Sequence, residues 1–305
     1  MSDTAFSLPA GIHLFERGWL SSNNILFVSD TETALVDSGY VRHAPQTLAL
    51  VENVLQGRKL DLLINTHLHS DHCGGNALLQ QTYRCHTLIP AADRAIVDEW
   101  DTAQLSFDAT GQECPRFVAN DGLLDGSSLQ LGSLQWHVFA APGHDPHSVV
   151  LYCAQEGLLI SADALWENGF GVIFPELEGA SGFAEQAAIL QLIEELDVRL
   201  VIPGHGAAFT DKQAAIDRAR SRLDYLAADP KRNARNAVKV LIAFLLLDRR
   251  QLSMTQLVQM IADVRMMRLA VEQLATPIDL LLPQLIQELI RAGAARLEGE
   301  HIVST

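Results

Sequence analysis

The sequence predicts an α+β protein with a large domain over residues 1–228 and a small, mainly helical domain over residues 229–305. In the first region, short apolar runs of strand length alternate with longer amphipathic stretches. From Asp229 the pattern becomes mostly helical, and ten Lys or Arg against eight Asp or Glu side chains give that region a net charge of +2. The length of 305 residues is near the upper limit for one hydrophobic core, which favours one large domain plus a small one.

The strands and helices of the large domain are predicted from short apolar runs bounded by turn residues and from apolar residues at helical spacing. Residues 121–132 are rich in turn residues, and residues 101–120 have little periodicity, so the latter are expected to form a loop or a variable insertion near the functional site. The predicted elements are a hairpin of strands 24–28 and 33–37, a helix 44–55, a strand 62–64, a helix from 76, a strand 87–90, a helix 91–100, strands 134–139, 149–152 and 157–160, a helix 183–196 and a strand 199–202.

Composition and charge limit the classes of partner. The chain is 48% hydrophobic and 19% charged, which is ordinary for a globular protein. The sequence shows neither a basic segment followed by an apolar core at its start nor an apolar run of about 18 residues, so we expect a cytoplasmic protein without a membrane span. The net charge of −15 makes nucleic acid an unexpected partner, because such binding depends on Lys and Arg that neutralise phosphates. A small-molecule substrate is expected instead.

The densest chemical signal is a loop that follows the predicted strand 62–64. Within six residues it contains His67, His69, Asp71 and His72, and two glycines and a helix start come directly after it. Functional groups are usually carried on such loops. Imidazoles and a carboxylate are the ligands that zinc prefers and that iron or manganese also accept. One backbone turn cannot easily bring all four groups to one ion, so the spacing suggests two ions, the first held by the two leading histidines and the second by the aspartate and the last histidine.

Four further residues with side chains that can bind a metal follow predicted strands. His144 follows the strand 134–139 in a Pro-Gly-His turn, and His205 follows the strand 199–202 in the same kind of turn. Asp163 follows the strand 157–160, and Asp37 ends the second strand of the first hairpin. For both aspartates, the alternative to a role at a metal site is a plain turn residue at the end of a strand.

At these residues the chain resembles the metallo-β-lactamase-fold hydrolase superfamily, whose signature is Thr-His-x-His-x-Asp-His-x-Gly-Gly, and within it the glyoxalase-II-like branch. The resemblance implies a four-layer αββα fold. Two departures are Ala162, which stands where the family commonly has glycine, and His147, which follows His144 by three positions where many members have a histidine at four. The implied ligands are His67, His69 and His144 for one ion, Asp71, His72 and His205 for the other, and Asp163 as a carboxylate that both share.

The resemblance also implies an activity. Two divalent ions, with zinc favoured and iron or manganese as alternatives, would activate a water that attacks an activated ester, with a thioester favoured. Asp71 would also position this nucleophile. The main alternatives are an RNA-cleaving phosphodiesterase, a mono-iron sulfur dioxygenase and a non-enzymatic sensor or regulator that binds through the C-terminal region. A β-lactamase and a flavin-linked di-iron oxidoreductase are disfavoured, the latter because it usually has glutamate where His69 stands.

Four residues are candidates for positions around the ions. Asp37 is expected to orient a metal-binding imidazole. His147 is expected either to support the site or to face the substrate, and a plain loop histidine is the alternative. Trp166 and Phe170, which closely follow Asp163, are expected at the mouth of the site.

The four cysteines are scattered without paired spacing, so we expect reduced thiols. Cys73 adjoins the metal motif, where a small buried filler is the favoured interpretation and a ligand or redox-sensitive thiol is the alternative.

The end of the chain predicts a helix over 282–292 followed by a hairpin over 293–303. This order resembles the winged-helix end that some members of the superfamily carry. A DNA-recognition helix would need more positive charge. We therefore expect a helical cap over the site or an oligomer contact, for example in a homodimer.

Overall fold

The computed structural model describes residues 7–305. The first half of the large domain alternates short strands and helices. Helix 44–55 and strand 62–64 have the predicted bounds. The elements are β1 Ile12–Phe15, β2 Asn24–Val28, β3 Thr33–Val36, α1 Ala44–Leu55, β4 Leu62–Ile64, α2 Ser70–Cys73, α3 Asn76–Tyr83, β5 His86–Pro90, α4 Arg94–Glu99, α5 Phe107–Thr110 and β6 Asp121–Leu123.

The second half of that domain contains longer strands and two long helices, and the last quarter is mainly helical. The next elements are β7 Ser128–Leu131, β8 Leu134–Ala140, β9 Val149–Cys153, β10 Leu158–Ala162, α6 Phe183–Glu195, β11 Leu200–Pro203 and α7 Lys212–Ala227. The last are α8 Pro230–Arg249, β12 Gln251–Ser253, α9 Met254–Asp263, α10 Arg265–Leu274, α11 Ile278–Arg291, β13 Ala295–Glu298 and β14 His301–Ser304.

Two sheets face each other across the central core. One has the strand order β1-β2-β3-β4-β5-β6, and the other has the order β11-β10-β9-β8-β7. Side chains alternate between the two faces of each strand. In β2, Phe27 points into the space between the sheets, where it meets Trp136 of β8 edge to face at 5.4 Å between ring centroids. Its neighbour Leu26 points to the opposite face of the sheet, among residues of α1 and α3.

Helices cover the outer face of each sheet. Leu26, Leu35 and Leu63 pack against α1 and α3 on one side, and outward-facing residues of β9, β10 and β11 pack against α6 and α7 on the other. The result is the predicted four-layer αββα arrangement with an added helical region.

Parallel pairing places the functional loops at one edge of the sandwich. The strands β3, β4 and β5 run parallel to one another, and β10 runs parallel to β11. The carboxyl ends of parallel strands meet at the same edge of a sheet. The loops after β3 and β4 therefore lie at one edge of the first sheet, and the loops after β10 and β11 lie at one edge of the second. The candidate ligands on these loops and on the loop after β8 meet in one cluster.

The C-terminal region shares a core with the large domain. Apolar residues of α8 to α11 pack together with Ala109, Val172 and Leu177. The Asn233 side-chain amide of α8 donates to the Ile173 carbonyl at 2.9 Å, and Asp248, near the end of α8, is paired with Arg42. The predicted boundary at residue 229 falls between α7 and α8.

The predicted C-terminal hairpin is present as β13 and β14, and β12 adds to it in a sheet of order β12-β14-β13. Within residues 7–305, no single helix is long and apolar enough to cross a membrane. The pair α10 and α11 reaches that length and composition only together, and it is bent by 104°.

The sequence did not predict the helices α2 and α7 or the strand β12. A further three short strands and one short helix were not predicted. They are β1, β6 and β7, and α5 within the stretch 101–120 that was expected to form a loop. Each of them has only three or four residues. Pairing with a neighbouring strand, which no local sequence pattern reports, decides whether such short segments become strands.

Candidate metal centre

The metal motif forms a tight loop between β4 and α3, and buried polar contacts hold it. The Ser38 amide donates to the His72 carbonyl at 2.7 Å, and the Asn65 side-chain amide donates to the same oxygen at 3.1 Å. Asn65 also accepts a 2.7 Å hydrogen bond from Asn76 at the start of α3. These contacts satisfy the buried backbone of the loop and fix the directions of its side chains.

Three histidines form the first ligand group, which we call the three-histidine group: His67, His69 and His144. Their nitrogens converge, with 3.1 Å from His67 Nε2 to His69 Nδ1 and 2.8 Å from His69 Nδ1 to His144 Nε2. Ligand atoms about 2.0–2.1 Å from a tetrahedral ion lie roughly 3.3 Å apart. The observed separations are near this value, so the group could hold one metal ion.

A second group, which we call the Asp71 group, contains Asp71, His72 and His205. The Asp71 Oδ2 atom lies 3.0 Å from His205 Nε2 and 4.0 Å from His72 Nε2. Two members of the Asp71 group come from the motif loop, and the third comes from the loop after β11. The group therefore combines residues that are far apart in the sequence.

Asp163 stands between the two groups. Its Oδ2 atom lies 3.4 Å from His144 Nε2 of the three-histidine group and 3.9 Å from His205 Nε2 of the Asp71 group. Its Oδ1 atom lies 3.5 Å from His72 Nε2. The structure thus brings all seven predicted ligands together in the predicted two sets, with one carboxylate facing both.

The hydrogen bonding of His72 fits a metal ligand. Its Nδ1–H donates to Asp37 Oδ2 at 2.8 Å, which directs the lone pair of Nε2 into the centre. That Nε2 atom is buried and has no hydrogen-bond partner among residues 7–305. Buried polar atoms are rarely left unpaired, and a metal ion is one of the partners that explains such an exception.

Burial keeps the imidazoles of the three-histidine group in the neutral form that binds a cation. Burial lowers the pKa of His67 well below its ordinary value and lowers the pKa of His144 from 6.5 to about 4. The pKa of His69 is lowered for the same reason. Only a neutral imidazole has a lone pair for a metal, so the group is in its binding form at neutral pH.

For the carboxylates, the neighbouring histidines outweigh the effect of burial on the pKa. Burial would raise the pKa of Asp163, but the neighbouring His72, His205 and His144 hold it well below its ordinary value. The pKa of Asp71 is likewise lowered, against the effect of burial, by His72 and His205. Both carboxylates are therefore ionised and act as acceptors or ligands.

Further contacts orient the ligands. Asp37 also accepts hydrogen bonds from the Thr66 amide at 2.9 Å and from the Thr66 hydroxyl at 2.8 Å. The Trp166 indole N–H donates to Asp163 Oδ1 at 3.1 Å, and His144 Nδ1 is paired with the Val172 carbonyl. Asp37 thus occupies the orienting position expected for it.

Two non-glycine residues in the centre adopt left-handed backbone conformations. Asp37 has φ +58° and Ala162, directly before Asp163, has φ +46°. Residues with a Cβ rarely adopt this region. Glycine at position 162, which the family resemblance implies, would adopt it without strain, so the alanine of this chain carries a local backbone cost.

The centre lies at the floor of a cavity of about 500 Å³. Polar ligand residues form its floor, and the opposite wall is largely apolar and comes from α8. The wall residues from α8 are Asn236, Val240, Leu241, Ala243, Phe244 and Leu247. Other lining residues are Trp19, Thr110, Gln112, Trp166, Phe174, Arg222 and Thr305.

Aromatic rings surround the metal-binding loops. Trp19 stacks on His205 with 5.4 Å between ring centroids and an interplanar angle of 9°, and it meets Trp166 edge to face. Trp19 is 60% exposed and lines the cavity, so these two tryptophans frame one side of the opening. Trp166 therefore lies at the site as expected.

Sequence reasoning missed Trp19 and Asn23, which lie in the loop before β2. The Asn23 side-chain amide donates to the Pro203 carbonyl at 3.0 Å and to the Gly206 carbonyl at 2.7 Å, which fixes the loop that carries His205. These contacts span about 180 positions, and no local pattern near residues 19–23 signals them.

The prediction that Phe170 lies at the mouth of the site is wrong. Its side chain is 0% exposed and packs in the core between β-strands and α6–α7. The chain turns after Trp166, which pairs with Gly169, and this turn directs Phe170 away from the cavity. Nearness in sequence to Asp163 was not enough to place it at the mouth.

His147 and Cys73 lie beside the centre. His147 Nδ1 donates to Asp93 at 2.6 Å, and this contact raises the pKa of His147; the residue does not line the cavity. Cys73 is buried and belongs to neither ligand group, in agreement with the favoured filler interpretation. Its sulfur lies 3.7 Å from the sulfur of Cys114.

Comparisons with known proteins agree with this geometry. The family model of the metallo-beta-lactamase superfamily matches residues 17–205. An uncharacterized protein of Mycobacterium leprae is 30% identical over 206 residues, which are 64% of this chain and 91% of that protein. A hydroxyacylglutathione hydrolase of Methylococcus capsulatus is 29% identical over 131 residues, which are 43% of this chain and 41% of that enzyme.

Solved structures show the same fold. A metallo-beta-lactamase family protein from Thermus thermophilus superposes with a TM-score of 0.59 at 20% identity, covering 98% of this chain and 99% of that chain. The B3 metallo-beta-lactamase BLEG-1 superposes with a TM-score of 0.56 at 25% identity, covering 68% of this chain and 96% of that chain. The match to the Thermus protein includes the C-terminal region.

Proposed function

The chain belongs to the metallo-beta-lactamase superfamily of metal-dependent hydrolases, and we propose that it hydrolyses a thioester or another activated ester at a centre of two zinc ions. One observation carries the proposal: the three-histidine group and the Asp71 group face each other with Asp163 between them. When bound, divalent ions at the two groups would supply Lewis-acid activation of a water and of the ester carbonyl.

The residues of the chain prepare the site for this reaction. The histidines of the three-histidine group are neutral, and Asp71 and Asp163 are ionised, so two carboxylates supply negative charge where cations are needed. Asp71 projects from the motif loop towards His205 and lines the cavity, where its carboxylate could orient the attacking water. The α8 wall places apolar side chains beside the centre, and an apolar wall that excludes water strengthens electrostatic interactions inside a site.

The shape and polarity of the cavity support an acyl substrate. Val240, Leu241 and Phe244 form an apolar surface opposite the ligands, which suits the hydrocarbon part of an acyl group. The name of the Methylococcus relative, a hydroxyacylglutathione hydrolase, supports a thioester as the activated bond.

The alternatives have less support. Arg222 is the sole Lys or Arg among the described residues that line the cavity, and the net charge is −15, which disfavours a polyanionic RNA substrate. A mono-iron dioxygenase would need one ligand group, whereas the chain places a second group beside the first. A complete set of seven candidate ligands disfavours a regulator without enzymatic activity.

The α8 wall also supports the cap interpretation of the C-terminal region over recognition of DNA. Whether that region additionally forms a homodimer contact stays a prediction. Its hairpin and helices support the winged-helix assignment that the sequence suggested.

The experiment is to measure hydrolysis of a thioester, a lactone and a phosphodiester by the zinc-loaded protein and by the variant His69→Ala. We expect thioester hydrolysis by the wild type and a loss of at least ~100-fold in the variant, together with lower metal content, because one ligand is removed. His86→Ala is the matched control, since His86 is exposed on β5 and lies outside both groups. Full activity with normal metal content in His69→Ala would refute the site.

A further inference from the structure

Arg222 of α7 is a charged side chain without an assigned partner in the cavity wall. The residue is half-buried, and among residues 7–305 its guanidinium has neither a hydrogen-bond acceptor nor an ion-pair partner. Other arginines of the same helix are paired: Arg220 with Glu194, and Arg218 with the Glu167 carbonyl. A half-buried charge without a partner is costly and therefore calls for an explanation.

The position of Arg222 is fixed by its surroundings. The guanidinium lies over the ring of Phe170, 5.3 Å from the ring centroid, and against Gly169. A Cβ at position 169 would lie 2.9 Å from Arg222 Nη1, so glycine leaves the space that the guanidinium occupies. Burial lowers the pKa of Arg222, as expected for a cation that has lost part of its hydration. The guanidinium thus contacts an aromatic ring and a glycine, and its N–H donors have no acceptor among residues 7–305.

A second donor without a partner lies on the adjoining helix. Asn236 of α8 lines the same cavity, and its side-chain amide nitrogen is buried with no hydrogen-bond partner among the described residues. The helices α7 and α8 pack against each other, and each contributes one of these donors to the lining of the same cavity. The residues of α8 after Asn236 that line the cavity are apolar. Asn236 is therefore the hydrogen-bond donor among the α8 side chains that line the cavity.

We propose that Arg222 and Asn236 form an anion-binding subsite, and that the ester or thioester substrate carries a carboxylate or phosphate group that binds there. The identity of the reacting bond rests on the proposed hydrolase function. The binding of the anion does not depend on that function. A planar guanidinium with several N–H donors matches the oxygens of a carboxylate or a phosphate, and an amide N–H adds a further donor. The subsite would orient the substrate with its acyl chain along the apolar face of α8 and its carbonyl at the ligand groups.

The test uses the zinc-loaded full chain and non-hydrolysable thioether analogues, measured by titration calorimetry. Three analogues share one alkyl chain and end in a carboxylate, a phosphate monoester or a neutral carboxamide. We expect the wild type to prefer an anionic analogue over the carboxamide by about 10- to 100-fold. Arg222→Ala should abolish this preference, Arg222→Lys should retain part of it, and Asn236→Asp should weaken binding of the anion by repulsion. The anion with the larger Arg222-dependent preference identifies the group that the substrate carries.

The matched control is Arg220→Ala, which removes the same charge from the same helix at a residue that is paired with Glu194 and does not line the cavity. It should retain the wild-type preference. Equal preference in Arg222→Ala and the wild type would overturn the proposal, because the metal centre alone would then account for the binding of the anion. The absence of any preference in the wild type would overturn it as well. If the preference depends on Arg222 but no ester or thioester is hydrolysed, the subsite stands and the proposed reaction fails.

Discussion

Gly204 allows Asp163 to reach its place between the two ligand groups. It lies in the turn after β11, and a Cβ built on it would overlap Asp163 Oδ1 and lie 3.0 Å from His72 Cε1. Gly171 does the same for His144, since a Cβ there would overlap the imidazole ring. The close approach of backbone to ligand side chains therefore depends on two positions without a side chain.

We predict that Gly204→Ala lowers metal content, because the added methyl group displaces the carboxylate that faces both groups. Hydrolysis should fall at least ~10-fold, comparable to the loss of a group that orients a ligand. Elemental analysis of the purified variant measures this. Gly206→Ala is the control: its Cβ meets no atom within 4 Å, although its φ of +85° makes alanine strained there. Equal metal content in both variants and the wild type would contradict the prediction.

We predict that the metal-free protein loses stability as the pH falls from about 6.5 to about 4. The pKa of His144 is lowered from 6.5 to about 4, so the unfolded chain binds a proton more readily than the folded one, and about 3 kcal/mol of stability is lost over this range. His67 and His69 act in the same direction. The carboxyls of Asp93 and Asp145, whose pKa values are raised by burial, act in the opposite direction. The pKa values of His72 and His147 are raised, so these two histidines change the stability mainly above pH 6.5, outside this range.

Thermal unfolding of the chelator-treated protein across this pH range checks the sign. A melting temperature that stays constant or rises on acidification would mean that these histidines are not buried in neutral form.

At the residue scale, the candidate ligands were recognised from residue type, from their positions after predicted strands and, for their division into two sets, from the resemblance to the superfamily. His67, His144 and His205 are recognisable on the first two counts. Trp19 and Phe170 were not predictable, because packing across distant segments decides whether an aromatic side chain faces the cavity or the core. A tryptophan in a loop carries no local signal of which histidine it will stack upon.

At the element scale, α8 has two functions. One face packs into the C-terminal core through residues such as Val238 and Leu245, and another face, from Asn236 to Leu247, lines the cavity. Val240 on this second face is 40% exposed, which is unusual for an apolar residue of a buried helix. This exposure fits a surface that binds the apolar part of a substrate.

We predict that Val240→Asp raises the KM for an ester with a long apolar acyl chain by about 10-fold, because a charge then replaces apolar contact. The KM for an acetyl ester should change little, and metal content should stay normal. Steady-state kinetics over a series of acyl lengths measures this. Val258→Asp is the control, since Val258 of α9 is 39% exposed and does not line the cavity. A uniform change across all acyl lengths would contradict the assigned role of α8.

Elements with strong periodicity or with clear turn residues were predicted closely. Helix α1 and strand β4 have the predicted bounds, and the C-terminal hairpin differs by one or two residues. The short edge strands β1, β6 and β7 were missed, because their conformation depends on the neighbouring strand with which they pair. The contribution of α8 to the cavity could not be predicted either, since an amphipathic pattern does not reveal which partner covers each face of a helix.

At the scale of the whole molecule, the C-terminal region is joined to the large domain by a continuous core. Residues on both sides of position 229 share one hydrophobic cluster, and Phe244 of α8 meets Tyr40 edge to face at 5.0 Å between ring centroids. The sequence showed the change of composition at Asp229, but it could not show that the two regions would share buried surface.

We predict that a chain truncated to residues 1–228 aggregates or melts well below the full-length protein, although it retains all seven candidate ligands. Its apolar residues Ala109, Val172 and Leu177 would lose the helices that cover them. Size-exclusion chromatography and thermal unfolding of the two proteins make the comparison. A monomeric fragment with the full-length melting temperature would instead show that the predicted boundary separates two independently folding domains.

The three-histidine group and the Asp71 group are proposed to hold two metal ions. The most direct measurement is the metal content of the purified full-length protein by elemental analysis, with protein concentration from amino-acid analysis. The two groups with a shared Asp163 predict about two zinc ions per chain. A content of about one iron per chain would contradict the two-zinc centre and favour the dioxygenase alternative. A protein that binds no divalent metal even after incubation with zinc would contradict the assignment of the site itself.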